Sequence, residues 1–321
     1  MNPSHSLSRR QFLQQSGLAT AVAAAPFILP SGLRGQNAPS KKITVGIVGA
    51  GNIADSHFGA LLGYPESVRI VAVCDVYAPN LAKARAAAQG FQEGREVATY
   101  TDFRKLLDDK TIDVVINATP DHWHALPAIA AVEAGKDVYL QKPTSLTIAE
   151  GRALSDAVHR TGRIFQIGSQ QRSAPQFRYA AELVRNGRIG QLKTVTIGLP
   201  GDPSGPEEPE MPVPKNLDYE MWLGSTPHVY YTEKRVHPQD GYDRPGWLRC
   251  EQFGAGMITG WGAHHVDSAH WGMGTEHTGP IEISGWAEFP KSGLWDVHGP
   301  FKTEALYADG VRMIISGEFP N

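Results

Sequence analysis

The sequence predicts an α/β chain, with a doubly wound parallel sheet followed by an α+β domain built on a mostly antiparallel open sheet. Three observations carry this. Short β-branched runs alternate strictly with helical stretches from Lys41 to about residue 168, the pattern of strands covered on both faces by crossover helices. The first of those runs ends in a glycine-rich turn that opens a helix. After residue 170 the alternation stops, and a helix, a Pro/Gly/Glu-rich loop and turn-separated strands follow. A length of 321 residues is enough for two domains of this kind.

Taken in order, Ile43 to Gly49 is a buried strand and Asn52 to Leu62 a helix. Val68 to Asp75 is the second strand, and Pro79 to Gln89, rich in Ala, Lys and Arg, is a helix. Thr101 to Leu107 is a short helix before the third strand, Ile112 to Ala118. His124 to Ala134 is helical, Asp137 to Leu140 the fourth strand, Ile148 to Thr161 helical and Ile164 to Ile167 the fifth strand. In the second half, the helix Ala174 to Asn186 leads into a strand, Thr194 to Gly198. Pro200 to Pro214 is polar and extended, as a surface loop is. Gly256 to Gly272 has helical length and apolar content, and Ile281 to Phe289, Lys302 to Tyr307 and Val311 to Phe319 read as strands. The domains are therefore 41–168 and 169–321, without internal repeats. The chain stops at Glu318-Phe319-Pro320-Asn321, within a strand and turn, so the second domain is expected to be incomplete.

Composition narrows the function classes. A net charge of −3 without a long basic run argues against a nucleic-acid partner. The two cysteines, Cys74 and Cys250, exclude a disulfide framework and a CxxC metal site, and Cys74 within an apolar run reads as a small buried hydrophobe. The first forty residues form a separate unit. Arg9-Arg10 precede Gln11-Phe12-Leu13, an apolar stretch runs from Gly17 to Leu29, Ala23-Ala24-Ala25 offer a cleavage site, and a linker runs from Pro30 to Ser40. This is the pattern of a twin-arginine (Tat) signal peptide, which implies a periplasmic or otherwise exported protein. The apolar stretch is too short and too Ala-rich for a stable membrane span. Export of a folded protein further implies a cofactor loaded beforehand and held through many turnovers.

Gly49-Ala50-Gly51-Asn52-Ile53-Ala54 is a GxGxxA turn between a strand and a helix, the Rossmann dinucleotide fingerprint. Gly49 permits the tight turn, Gly51 lets the backbone approach a pyrophosphate, and Ala54 allows close packing of helix on strand. The helix N-terminus at Asn52 and Ile53 supplies N–H groups and positive dipole to phosphate. Asp75 ends the second strand about 20 residues on, where a carboxylate accepts hydrogen bonds from ribose hydroxyls. It would repel a 2′-phosphate, and Val76-Tyr77 supply no cation to offset that, so NAD is favoured over NADP.

Two further segments carry a family resemblance. Thr119-Pro120-Asp121-His122-Trp123-His124, after the third strand, resembles the TPxxxH turn of the Gfo/Idh/MocA oxidoreductases. Gln141-Lys142-Pro143, after the fourth, resembles their EKP signature. That family includes glucose–fructose oxidoreductase and inositol dehydrogenases, and the similarity covers about residues 41–320. It implies hydride transfer between a nicotinamide dinucleotide and a sugar, glycoside or polyol. It also implies that Thr119, Pro120, Trp123, His124, Gln141 and Lys142 join Gly49, Gly51, Asn52, Ile53 and Asp75 at the cofactor. Lys142 matches the lysine that reaches the reacting hydroxyl, while Gln141 in place of glutamate removes a charge beside it. The family's Asp-x-x-x-His-x-x-Asp helix is matched by His264 and Asp267, but its first aspartate is Gly260 here.

The mechanism this implies makes His264 the general base, with Asp267 paired to it one helical turn on, and Lys142 the stabiliser of the developing oxyanion. His264 and His265 project about 100° apart on a helix, so no metal site is expected. Gln170, Gln171 and Arg172, just past the fifth strand, are candidates for sugar hydroxyls. Trp247 and Arg249 could stack on and clamp a pyranose, and His237 is a weaker candidate. Two alternatives use the same parts: a redox-neutral NAD-dependent glycosidase, and, because of Gly260, a catalytically degenerate NAD-binding protein. The open second sheet suggests a homo-oligomer.

Overall fold

The computed structural model describes residues 42–92, 94–238 and 246–317. The export-signal and chain-end expectations fall outside them, on residues 1–40 and 318–321. Among the described residues no helix is long and apolar enough to cross a membrane.

The first domain alternates as its sequence predicts. In chain order it runs β1 (Ile43–Val48), α1 (Asn52–Leu62), β2 (Val68–Cys74), α2 (Ala78–Phe91), β3 (Ala98–Tyr100) and α3 (Phe103–Asp108). It continues with β4 (Val114–Asn117), α4 (Ala125–Glu133), β5 (Asp137–Leu140), α5 (Ile148–Thr161) and β6 (Phe165–Ile167). Every pairing is parallel and the strand order is β3-β2-β1-β4-β5-β6. β3 is a sixth strand that the sequence reading did not contain. Three residues, Ala-Thr-Tyr, at a sheet edge are too short to show periodicity.

Successive side chains of a strand point to opposite faces, and the core divides accordingly. Val115 packs with Leu106, Val132, Leu140 and Leu154 on the side of α3, α4 and α5. Its neighbour Ile116 packs with Ile47, Phe58, Val73 and Ala88 on the side of α1 and α2. Burial on both faces is why these strands read as continuous apolar runs. Thr147 and Glu150 form a capping box on α5, and Gly162 closes it in the left-handed conformation. The strand order reverses between β1 and β4, and the crevice beyond their carboxyl ends is where open α/β sheets take ligands.

The second domain contains α6 (Pro175–Arg185), β7 (Thr194–Gly198), α7 (Tyr219–Leu223), α8 (Glu233–Val236), α9 (Gly256–Gly260) and α10 (Gly262–Met273). Strands β8 (Glu282–Ala287), β9 (Phe301–Leu306) and β10 (Arg312–Ser316) follow. Its sheet has the order β7-β10-β9-β8, antiparallel except for the parallel pair β7/β10. The helix expected over Gly256 to Gly272 is broken at Trp261 into α9 and α10. Gly260 and Gly262 flank the break, and glycine's low helix propensity makes it cheap there. The loop after β7 has no regular structure and is mostly exposed, but it is anchored at Asp202. That buried carboxylate accepts the Met257 N–H at 2.6 Å and Arg249 Nε at 3.2 Å.

Candidate active site

A cavity of about 710 Å³ opens between the carboxyl ends of the first sheet and helices α7 to α10. That size is usual for a small-molecule site. Gly49, Gly51, Asn52, Ile53 and Asp75 of the first domain line it, with Trp222, Trp247, Trp261 and His264 of the second. Thr119, Pro120, Asp121, Trp123, His124, Gln141 and Lys142 line it too.

The glycine turn fits a dinucleotide. Gly49 has φ +83°, and a Cβ there would come within 2.6 Å of the Thr119 nitrogen, so only glycine suits the position. A Cβ at Gly51 would meet nothing within 4 Å, because that backbone faces open cavity, and α1 starts there without a side-chain cap. An uncapped helix N-terminus bordering open space is what a diphosphate requires. Asp75 stitches the turn to the end of β2. Its Oδ2 accepts the Ala50 N–H at 2.7 Å and its Oδ1 the Tyr77 N–H at 2.8 Å. Burial raises its pKa against those bonds. The Asn80 side chain and the Val76 N–H bond to it as well, so its roughly four acceptor sites are largely engaged within the protein.

The turn after β4 is held from within and from the second domain. Asn117 accepts the Thr119 hydroxyl at 2.8 Å and donates to the His124 carbonyl at 3.0 Å. The buried His124 ring lies between the carbonyls of Thr119 and Pro143 and, neutral, donates its single N–H to one of them, so the two family motifs pack against the same ring. His122 Nε2 and Trp123 Nε1 both donate to the Trp222 carbonyl on α7, at 2.8 and 2.9 Å. Burial lowers the pKa of both histidines to about 4, so the rings are neutral.

Lys142 follows β5 and reaches across the cavity, where its Nζ donates to the Gly260 carbonyl at 3.0 Å. Gln141 donates from Nε2 to His57 Nε2 at 2.9 Å and accepts the Lys142 N–H on Oε1 at 3.1 Å. His264, on α10, lines the cavity with a buried Nδ1 that has no hydrogen-bond partner. Burial, then Lys142 and His265, lower its pKa to about 4, against a weaker upward pull from Asp267.

Three expectations are corrected. Asp267 does not pair with His264, because it holds Arg172 in a bidentate bridge, Nε to Oδ2 at 2.7 Å and a terminal nitrogen to Oδ1 at 2.9 Å. Arg172 is thereby committed to that bridge and to Glu276, 3.9 Å away, and does not line the cavity. Arg249 is buried behind the wall, bonded to Asp202 and stacked 4.6 Å from the Trp295 ring, so it cannot clamp a sugar. Gln170, Gln171, Trp247 and His237 do line the cavity. Asp121, not among the expected site residues, is 5% exposed and lines the cavity. Its signal was an acidic side chain in the turn beyond a central strand.

Residues 43–169 match the profile described as the Oxidoreductase family, NAD-binding Rossmann fold, of the Gfo/Idh/MocA group. Residues 204–321 match that family's C-terminal alpha/beta domain. The chain belongs to the Gfo/Idh/MocA oxidoreductase family. NAD is the cofactor its first domain is built for. Inositol 2-dehydrogenase of Salmonella typhimurium is 33% identical over 150 residues, which are 46% of this chain and 43% of that enzyme. Levoglucosan dehydrogenase of Pseudarthrobacter phenanthrenivorans is 31% identical over 158 residues, 47% of this chain and 39% of that enzyme. The alignments thus span less than half the length of these Gfo/Idh/MocA relatives. Among solved structures, myo-inositol 2-dehydrogenase of Lactobacillus plantarum superposes with a TM-score of 0.63 at 20% identity, over 87% of this chain and 70% of that one. The WlbA dehydrogenase of Bordetella pertussis, solved with NADH and UDP-GlcNAcA, gives 0.66 at 18%, over 87% and 72%. At such identities the likeness is one of fold.

Proposed function

We propose that this chain oxidises a secondary hydroxyl of a sugar, glycoside or polyol, with NAD as the hydride acceptor. The observation that carries the reading is the meeting of Lys142, His264 and the glycine turn in one cavity. The turn at Gly49 to Ile53 and the Asp75 carboxylate would hold NAD, which when bound supplies a nicotinamide ring able to take up hydride. Lys142 presents an ammonium to the substrate oxygen and stabilises the negative charge that grows as its proton leaves. His264 is the base. Its ring is neutral and lines the cavity, so it can take up a proton there. Gln170, Gln171 and Trp247 line the space left for the rest of the substrate. The names of the inositol and levoglucosan dehydrogenases support the substrate class.

The test is to supply purified protein with NAD and a panel of polyols, free sugars and glycosides while following reduced nicotinamide. Reduction with at least one member is expected, and a protein that binds NAD but reduces it with none overturns the reading. We also propose export by the twin-arginine route, supported by Arg9-Arg10 and the apolar stretch after them. Replacing both arginines with lysine should retain the protein in the cytoplasm on fractionation, and unchanged export would refute that assignment.

A further inference from the structure

We propose that His57 is a positioning residue for Lys142, acting through the Gln141 amide, whose orientation its ring fixes. The inference deepens the functional reading and rests on the role given to Lys142 there.

Tyr139 and Gln141, two residues apart at the end of β5, both project toward α1. There the His57 ring meets the Tyr139 ring edge-on, with 5.3 Å between centroids, and bonds Gln141 Nε2 at 2.9 Å. Gln141 is buried, and its main chain is itself fixed, the N–H donating to the Asn117 carbonyl at 2.9 Å. Its Oε1 accepts the Lys142 N–H at 3.1 Å. A chain of two hydrogen bonds thus runs from α1, whose first residues Asn52 and Ile53 line the cavity, to the main chain of the lysine.

The donors decide which way the amide faces. A main-chain N–H can only donate, so the amide oxygen belongs beside Lys142 and the amide nitrogen beside the ring. That nitrogen needs an acceptor, which makes His57 Nε2 the bare nitrogen and puts the ring proton on Nδ1. A ring protonated on both nitrogens could not accept, and the amide would have to turn over and give up the Lys142 N–H. Burial lowers the ring's pKa, which favours the accepting form. Asp55, on the same helix, is held by Lys83 of α2 at 2.5 Å. Tyr139, facing the ring from β5, stays an uncharged phenol because burial raises its pKa. Gln141 therefore does what the glutamate of the resembled signature could not, since an ionised carboxylate has no hydrogen to give the ring.

The test reads the Lys142 amide proton in the full chain without added cofactor. Protein grown with isotopically labelled lysine gives its NMR signal, identified by its absence from Lys142→Arg, and solvent exchange is compared in wild type, His57→Leu and His57→Gln. Removing the acceptor in His57→Leu should quicken exchange roughly fivefold, the scale of one lost hydrogen bond. Glutamine offers an amide oxygen at about the reach of ring Nε2, so His57→Gln should return exchange to within about twofold of wild type. Unchanged exchange in folded His57→Leu, or no recovery in His57→Gln, overturns the proposal. Should His57→Leu not fold, Gln141→Glu serves instead, with the His57 ring followed by NMR across pH. A carboxylate draws the proton onto Nε2, so the ring's pKa should rise by at least about one unit, and no rise overturns the pairing. With a substrate in hand, kcat of His57→Leu should fall roughly tenfold and recover in His57→Gln, and an unchanged kcat overturns the positioning role. The exchange needs no substrate, so recovery in a protein that oxidises no polyol supports the link to Lys142 and sinks only the functional reading.

Discussion

Lys142 Nζ donates to the carbonyl oxygen of Gly260, 3.0 Å away, and this bond joins the carboxyl edge of the first sheet to the helix break in the second domain. The lysine therefore stands at one of the places where the first sheet's carboxyl edge meets the second domain, as His122 and Trp123 do at the Trp222 carbonyl. Its position is set by both domains, while the glycine turn is held to the end of β2 by Asp75 within the first.

That separation predicts the behaviour of Lys142→Ala. Loss of the ammonium should lower kcat by roughly 10²–10³, the scale for removing one oxyanion-stabilising donor. NAD affinity should change little, since Gly49, Gly51 and Asp75 are untouched. Steady-state kinetics beside a fluorescence titration with NADH checks both halves. Near-normal turnover would remove Lys142 from the chemistry.

The two glycines of the turn should respond differently to the same change. Gly49→Ala forces a side chain into φ +83° and against the Thr119 backbone, so it should cost more than about 1 kcal/mol of stability and lose NAD binding. Gly51→Ala puts its methyl into open cavity, so the apo protein should keep its Tm while NAD binding weakens. Thermal melts with and without NAD distinguish the two. Equal destabilisation of the apo forms would contradict the geometry.

Much of this was legible in the sequence, and the gaps have physical causes. The four longer strands β1, β2, β4 and β5 and the crossover helices of the first domain announce themselves because burial on both faces demands unbroken apolar runs, and β6, itself three residues at an edge, shows in the apolar Ile164 to Ile167. β3, with only Ala-Thr-Tyr, does not. The glycine turn and the lysine after β5 are local motifs, so their place in the cavity follows from the chain order. The partners of Asp267, Arg172 and Arg249 are not local. The i, i+3 spacing allowed Asp267 to meet His264, but Arg172 lies 95 residues away in sequence and offers two charged hydrogen bonds where the imidazole offers one. No periodicity reports such a choice. Asp121 was visible as a residue, but its burial at the cavity arises only once the chain has folded.

Stability should fall on acidification. His122, His124 and His264 have folded pKa values lowered to about 4, against about 6.5 unfolded. Between those limits the unfolded chain binds more protons, so the stability these rings contribute is complete above about pH 6.5 and is lost as pH falls toward 4. Asp75 and Asp121, whose folded values are raised, act in the opposite sense, gaining as pH falls. They are outnumbered, because burial also lowers His57, His237 and His265. Urea unfolding at about pH 7 and pH 5 should differ by at least about 2 kcal/mol, less stable at the lower pH. A flat profile would mean that these rings are not buried neutral.

The Arg172–Asp267 bridge should prove structural. Both side chains are about one-third exposed, at 34% and 28%, so solvent discounts their attraction, but the bidentate geometry retains some of it. Asp267→Asn should lower stability by roughly 1 kcal/mol while leaving kcat within a few-fold, because the carboxylate it removes belongs to the arginine and not to the imidazole. Chemical denaturation together with the kcat of the same variant checks this. A loss of turnover on the scale expected for Lys142→Ala, at unchanged stability, would return Asp267 to the catalytic set and require the bridge to open when substrate binds.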